Sequence, residues 1–290
     1  MTNQLIRLLR PRHYLKNLFV FLPLFFSGEF HQTSLLAGTA LAFVSFCLIS
    51  SSVYVFNDIM DRNDDRNHPV NKNRPIAAGR IRVPVAYIID IFLTAAAFLI
   101  AYFVNIHVFY VILGYKLLNI AYSTGIKNIP IFDMMVIAVG FVLRLYAGSE
   151  AAGIYLTEWI IIMTFLLSML IAIGKRRNDV VYLEKEGILL RSSARNYNLK
   201  YLNFSMIILS SVVLVAYIMY TLDPVTISRV DNDNLYITSF WVIAGILRYL
   251  QLIFVTESTQ NPVMLLITDH PLKIIIAGWL ISFLLFIYVI

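Results

Sequence analysis

Long apolar runs, separated by short polar interruptions, dominate the chain. The runs are apolar on every face and not at helical or strand spacing. That pattern predicts membrane-crossing helices, since a crossing needs about 20 mostly apolar residues. Nine windows can be drawn: 17–29, 36–60, 84–104, 107–124, 131–149, 158–175, 202–221, 236–256 and 272–290, the first being the shortest. Backbone polar groups in lipid must be satisfied within the segment that carries them. The expectation is therefore an all-α integral membrane protein, a single-domain bundle of about nine transmembrane helices over residues 1–290. Two polar interruptions, 61–83 and 175–201, are expected to be cap loops; Pro69, Pro75, Pro84 and Gly79 keep one regular helix from covering the first.

Composition supports the same class. With 59% hydrophobic and 14% charged residues, the chain departs from soluble domains, which are roughly half apolar and about a quarter charged. A net charge of +6 on a soluble protein would raise nucleic acid as a partner, but here the cations sort by loop. Arg7, Arg10, Arg12 and Lys16 precede the first window. Arg62, Arg66, Lys72, Arg74, Arg80 and Arg82 lie between the second and third, Lys127 between the fourth and fifth, and Lys175, Arg176, Arg177, Lys185, Arg191, Arg195 and Lys200 between the sixth and seventh. The alternate loops hold Arg229 alone. By the positive-inside rule the protein is a multi-pass cell-membrane protein, with a cytoplasmic N-terminus and an external C-terminus. Met1 to Arg12 has no small-residue cleavage site after it and reads as a retained anchor. The single Cys47 excludes a disulfide within the chain.

Candidate chemistry centres on Asn57-Asp58-Ile59-Met60-Asp61-Arg62-Asn63-Asp64-Asp65, where the second apolar run gives way to polar sequence. If the helix continues through it, Asp58, Asp61 and Asp65 project from one face with Asn57 beside them, and Asp64 is rotated by about 100°. Like charges at that spacing repel, and a helix C-terminus disfavours anions, so a cation is expected there. Hard oxygen donors without a complete cage suit Mg²⁺, which keeps waters and takes further ligands from substrate phosphates. The alternative is a solvated acidic helix end. Lys72 and Arg74 follow closely, and metal with cations is the pairing that diphosphate recognition needs. Lys16 lies against the first apolar run, and Tyr54 stands one turn before Asp58. Ser50-Ser51-Ser52 permits close helix packing. Deeper in a window, Arg144 is either a functional cation or the partner of Glu150. Asn178-Asp179 with Glu186 repeats the Asn57-Asp58 and Asp65 spacing, though Tyr182 stands where Asp61 would. Arg248 and Asp269-His270-Pro271 take no assignment.

Together these residues resemble the UbiA superfamily of intramembrane prenyltransferases, whose first signature N-D-x-x-D-x-x-x-D is Asn57 to Asp65 here. The resemblance is to its polyprenyl-phosphate phosphoribosyltransferase branch. It runs through Arg10-Pro11-Arg12, Lys16-Asn17, Tyr54, His68-Pro69, Arg74-Pro75-Ile76-Ala77-Ala78-Gly79, Tyr122-Ser123 with Lys127, Phe141-Val142-Leu143-Arg144, Ala147-Gly148 and Gly174-Lys175-Arg176, and faintly Ile246-Leu247-Arg248-Tyr249. Asp179 stands where that branch usually carries Glu. The resemblance implies a cavity open to the cytoplasm and to lipid. It implies Mg²⁺ at Asn57, Asp58, Asp61 and Asp65, and transfer of phosphoribosyl from 5-phosphoribosyl 1-diphosphate to a polyprenyl phosphate. Asp58, Asp61, Asp65, Lys127 and Asp179 would be catalytic, and Lys16, Asn17, Tyr54, Lys72, Arg74, Tyr122, Arg144, Lys175 and Arg176 would bind substrate. Homo-oligomers are compatible with it. The rival activities are aromatic prenyl transfer, from a polyprenyl diphosphate to an acceptor such as 4-hydroxybenzoate, and transport. Against transport, both acidic groups lie at helix ends, whereas transporter sites lie near the midplane.

Overall fold

The computed structural model describes residues 2–67, 71–187, 192–255 and 268–288, and among them all regular structure is helical. The helices are α1 (Thr2–Leu9), α2 (Leu22–Phe26), α3 (Thr33–Met60), α4 (Arg62–Asn67), α5 (Val83–Val104), α6 (Ile106–Thr124), α7 (Phe132–Ala152), α8 (Glu158–Glu186), α9 (Leu199–Leu222), α10 (Pro224–Val230), α11 (Ser239–Phe254) and α12 (His270–Tyr288). Eight are long and apolar enough to cross a membrane among the described residues: α3, α5, α6, α7, α8, α9, α11 with the turn before it, and α12.

The chain divides into two compact units. Residues 1–136 and 140–155 form the first, and 137–139 and 156–290 the second.

In the first unit α3 is the axis. Apolar burial drives little association between helices in lipid, so small residues and interhelical hydrogen bonds have to hold them. Ala42, Ala97 and Ala101 are fully buried, and Ser45 Oγ donates to the Ala97 carbonyl at 2.9 Å, fastening α3 to α5. Pro84 fits the first turn of α5, where its missing N–H is not needed. Asn105 caps α6 by accepting from the His107 N–H at 2.9 Å.

The first apolar window is not an α-helical crossing. Pro11–Phe21 winds as a 3-10 helix, followed by the short α2. Arg10 contacts Asp58, Tyr14 meets Ser51, Asn17 meets Cys47 and Phe21 packs on Phe43, so the segment runs down α3 in the opposite direction. A 3-10 helix rises about 2.0 Å per residue against 1.5 Å in an α-helix, so these 11 residues span roughly 22 Å, about half the length of α3. Runs of this length are uncommon because their hydrogen bonds are poor. Here α3 and α7 hold the segment. A Cβ on Gly148 would lie 1.8 Å from the Val20 carbonyl oxygen, so only glycine lets the segment lie on α7.

In the second unit α8 pairs with α9, and α11 with α12 and α9. Trp279 Nε1 donates to Tyr217 Oη at 2.7 Å, and Tyr217 Oη lies 2.7 Å from Thr238 Oγ1. Residues 175–186, expected in a loop, continue α8 until Gly187 turns it off with φ 65°. Arg248 and Asp269 form a bidentate pair at 3.1 and 2.7 Å. Asp269 also accepts from the Leu272 N–H at 2.9 Å, starting α12, and the Arg248 guanidinium holds its carboxyl below the usual range.

Gly148→Ala is expected to destabilise the protein by about 1–3 kcal/mol, the usual cost of overpacking. Gly114→Ala, where nothing lies within 4 Å of the added carbon, should be neutral or stabilising. Thermal unfolding of both variants in detergent checks this. Equal behaviour would contradict the close approach.

Candidate active site

The helical path does run through the acidic stretch, with a change of element. α3 ends at Met60 and α4 begins at Arg62, but Asp61 N–H donates to the Asn57 carbonyl at 2.9 Å and Asp65 N–H to the Asp61 carbonyl at 2.8 Å. Asp58 and Asp65 are buried, 1% and 4% exposed, while Asp64 is exposed. Burying a carboxylate is costly unless it is paired. Three separate segments supply the cations. Arg10 Nη2 lies 2.5 Å from Asp58 Oδ1. Arg74 Nη1 bridges Asp58 Oδ1 at 3.2 Å and Asp65 Oδ2 at 2.7 Å. Lys127, just beyond α6, pairs with Asp61.

This corrects the expected sharing of one face by three carboxylates. Asp58 and Asp65 share Arg74, whereas Asp61 turns to Lys127. Among the described residues no three His, Cys, Asp or Glu side chains are grouped to hold a metal ion. A closed carboxylate cage is therefore not the arrangement. An open Mg²⁺ site still fits. Asp58 Oδ2 is buried without a hydrogen-bond partner, Asp65 stands across Arg74 from it, and hard oxygen donors with room for water and phosphate suit that ion. Asn57 Oδ1 accepts from Ser123 Oγ at 3.1 Å, so its expected metal contact has a competitor.

The serine run does more than allow close packing. Ser50 Oγ donates to Asn17 Oδ1 at 3.3 Å, Ser51 Oγ to the Leu9 carbonyl at 2.9 Å, and Ser52 Oγ to Asp90 Oδ1 at 2.6 Å. Ser50 and Ser51 dock the N-terminal segment beside the acids. Arg10 adopts the left-handed conformation, φ 53° and ψ 56°, which costs a residue with a Cβ roughly 1–2 kcal/mol. Its guanidinium packs 5.0 Å from the Tyr54 ring centroid, and His13 meets the same ring edge-on at 5.1 Å. Tyr54 therefore supports Arg10 and His13.

Arg144 is buried but does not pair with Glu150. Its Nε donates to Asn17 Oδ1 at 2.8 Å, Nη1 to the Gly140 carbonyl at 2.6 Å and Nη2 to Tyr115 Oη at 3.1 Å. The guanidinium also packs within 5.0–5.4 Å of the rings of Phe46, Tyr115 and Phe141. Buried Asn17 is thus held by Arg144, and together they fix the segment that carries Lys16. Burial, together with repulsion from Arg144 and Arg10, pushes the Lys16 ammonium below the usual lysine range. Lys16 is half-buried and Lys72 exposed. Tyr122 is half-buried on α6. His68 and Pro69 lie outside the described residues.

In the second unit Arg176 Nη1 lies 2.7 Å from Asp179 Oδ2 on α8. Both residues are buried, so the pair is not a solvated one. Arg177 Nε donates to Asn203 Oδ1 at 2.8 Å, and Lys175 is half-buried. The Glu186 side chain, on which the repeated spacing relied, lies outside the described residues.

Four residues at or near the patch had no assigned role in the sequence. Arg10 was visible as a loop cation, but no spacing rule connects it to Asp58. Ser123 carried no signal as a ligand of Asn57. Asp90 and Lys116, each an ionisable residue inside an apolar window, were signalled by that position alone.

The regular structure of the described residues is helical, eight of the helices are long and apolar enough to cross a membrane, and paired carboxylates and cations gather at one helix end. The UbiA prenyltransferase family model matches residues 18–264, and the chain belongs to that family. It is 30% identical over 286 residues to decaprenyl-phosphate phosphoribosyltransferase of Mycolicibacterium smegmatis, covering 95% of this chain and 90% of that protein. The corresponding protein of Corynebacterium glutamicum is 29% identical, over 98% of this chain and 87% of its own length. Among solved structures, a UbiA homolog from Archaeoglobus fulgidus bound to DMAPP and Mg²⁺ superposes with a TM-score of 0.76 at 23% identity, covering 99% of this chain and 100% of that one.

Arg144→Gln should cost about 2–3 kcal/mol of stability, because it removes a charged donor to buried acceptors. Thermal unfolding without substrate measures it. Unchanged stability with weakened substrate affinity would instead make Arg144 a direct ligand.

Proposed function

We propose that this protein transfers a 5-phosphoribosyl group from 5-phosphoribosyl 1-diphosphate to a polyprenyl phosphate of decaprenyl type, releasing diphosphate. The observation that carries the proposal is the Asp58–Arg74–Asp65 cluster, with Arg10 on Asp58 and Lys127 on Asp61. Carboxylates and cations alternate over one patch, as recognition of a metal-bound diphosphate requires. Likeness over nearly the whole chain to decaprenyl-phosphate phosphoribosyltransferases favours this donor over a prenyl diphosphate.

Mg²⁺ held by Asp58 and Asp65, with Asn57 and Asp61 adjacent in the chain, would supply electrostatic stabilisation of the diphosphate leaving group. Arg10 and Arg74, now on the carboxylates, exchange them for phosphate oxygens when the donor binds. Lys127 neutralises charge as it develops on the departing oxygen. An oxygen of the lipid phosphate forms the new bond to ribose C1 while the C1–O bond to diphosphate breaks and its electron pair leaves with the diphosphate. The attacking phosphate is already an anion and surrenders no proton, so no general base is required. Lys16, steadied by Asn17 and Arg144, and Lys72 are the further cations for phosphate binding. Tyr54 and Tyr122 complete the substrate-binding set proposed for the first unit; Lys175 and Arg176 as substrate ligands and Asp179 as a catalytic residue are proposed separately for α8 of the second. Under the positive-inside rule, the basic residues after α3 favour a cytoplasmic side for the Asp58 end and an external C-terminus.

Labelled phosphoribosyl diphosphate with a polyprenyl phosphate should give a labelled lipid, and removal of divalent metal should stop it. The parallel reaction of a prenyl diphosphate with 4-hydroxybenzoate should give nothing; product there alone would replace this reading with aromatic prenyl transfer. Asp58→Asn and Asp65→Asn are expected to lower turnover at least about a hundredfold, equivalent to a few kcal/mol of transition-state stabilisation. Asp64→Asn should stay within about twofold, as expected of a surface change. Equal loss from all three variants would contradict the assignment.

A further inference from the structure

α3 and α6 are joined by polar contacts at three successive heights. Deepest in the bundle, Lys116 Nζ donates to Ser52 Oγ at 2.6 Å and to Asp90 Oδ1 at 2.7 Å. Ser52 Oγ also lies 2.8 Å from Thr94 Oγ1, and the Phe56 ring centroid is 5.5 Å from the ammonium. About two turns further along α6, Ser123 donates to Asn57. Just past the end of α6, Lys127 pairs with Asp61. Residues Ser52, Asn57 and Asp61 thus meet Lys116, Ser123 and Lys127 in order, so the two helices run side by side in the same direction. A slip of one against the other breaks all three contacts.

An ion pair is an expensive way to hold two membrane helices. Well-packed apolar residues of similar volume are often as stable or more so, and ionisable residues within membrane helices usually serve function. Asp90 and Lys116 are each only 7% exposed, and none of their hydrogen bonds or ion pairs reaches the acidic patch, so they take no direct part in the chemistry. What the pair provides, and an apolar contact would not, is a single permitted register. We propose that Asp90 and Lys116 are positioning residues, which set the register of α6 against α3 and so the height at which Lys127 meets Asp61. A slip of one residue moves a helix by about 1.5 Å and turns it by about 100°, and misplacements near 1 Å can cost about a hundredfold in rate. The kinetic consequence rests on the proposed function; the register claim does not.

Removing one partner would strand a buried charge and threaten folding, so the test uses paired substitutions in the full-length protein in lipid nanodiscs. Asp90→Leu with Lys116→Met keeps volume but removes the polar contact; Asp90→Asn with Lys116→Gln removes charge but keeps hydrogen bonding. Spin labels at Met60→Cys and Thr124→Cys, both exposed positions, report the distance between the helix ends, while Cys47 is buried. The apolar pair should unfold at or above the parent temperature, shift or broaden the distance distribution, and lower kcat about tenfold or more through misplacement. The amide pair should keep the parent distribution and most of the turnover. An unchanged distribution in the apolar pair would overturn the proposal, as would activity that merely follows unfolding temperature across both pairs. The distances are measured without substrate, so they decide the register claim even if the assigned reaction fails.

Discussion

Asp58 is a carboxylate buried at the end of a membrane helix, and its charge has to be answered from outside that helix. Arg10 comes from the N-terminal segment and Arg74 from the stretch after α4, and both converge on the same oxygen. Asp65 shares Arg74, and Asp61 draws Lys127 from beyond α6. Three connecting segments with no regular pairing to one another are thereby fixed to one helix end. Under the proposed function, the same pairs that hold the fold together are the ones that a metal and a diphosphate would rearrange, so stability and substrate recognition would draw on the same charges.

Polar contacts also replace the hydrophobic effect deeper in the first unit. Ser50, Ser51 and Ser52 are consecutive and so point in three directions, one toward Asn17, one toward the Leu9 carbonyl and one toward Asp90. Each bond is modest, and interhelical hydrogen bonds in membranes average about 0.6 kcal/mol. Their value lies in direction: they fix a 3-10 segment that is weak by itself, and on it Arg10, Lys16 and Asn17.

Most of the architecture could be read from apolar run length, because crossing a bilayer imposes a length that soluble cores do not. Eight windows became helices of that kind. The window at 17–29 did not, since run length does not reveal a 3-10 helix held in place by its contacts with α3. Residues 175–186 read as loop because charge ended the apolar window, yet the backbone continues as α8 to Gly187. The acidic patch was legible from spacing, but the division among its carboxylates was not. Helical geometry placed Asp58, Asp61 and Asp65 together, and the partner cations, distant in sequence, separated Asp61 from the other two. Arg144 showed the reverse: its depth marked it as unusual, but its partners are neutral acceptors and aromatic rings, and of its two readings the pairing with Glu150 is not the one found.

The central claim is an open metal site whose carboxylates are held by arginines until a diphosphate arrives. Calorimetric titration of the protein with Mn²⁺, alone and with inorganic diphosphate present, measures this directly. The account predicts weak binding of the metal alone, strengthened at least about tenfold by diphosphate, a coupling of about 1.4 kcal/mol. Tight metal binding that diphosphate leaves unchanged would mean a complete carboxylate cage and would contradict it.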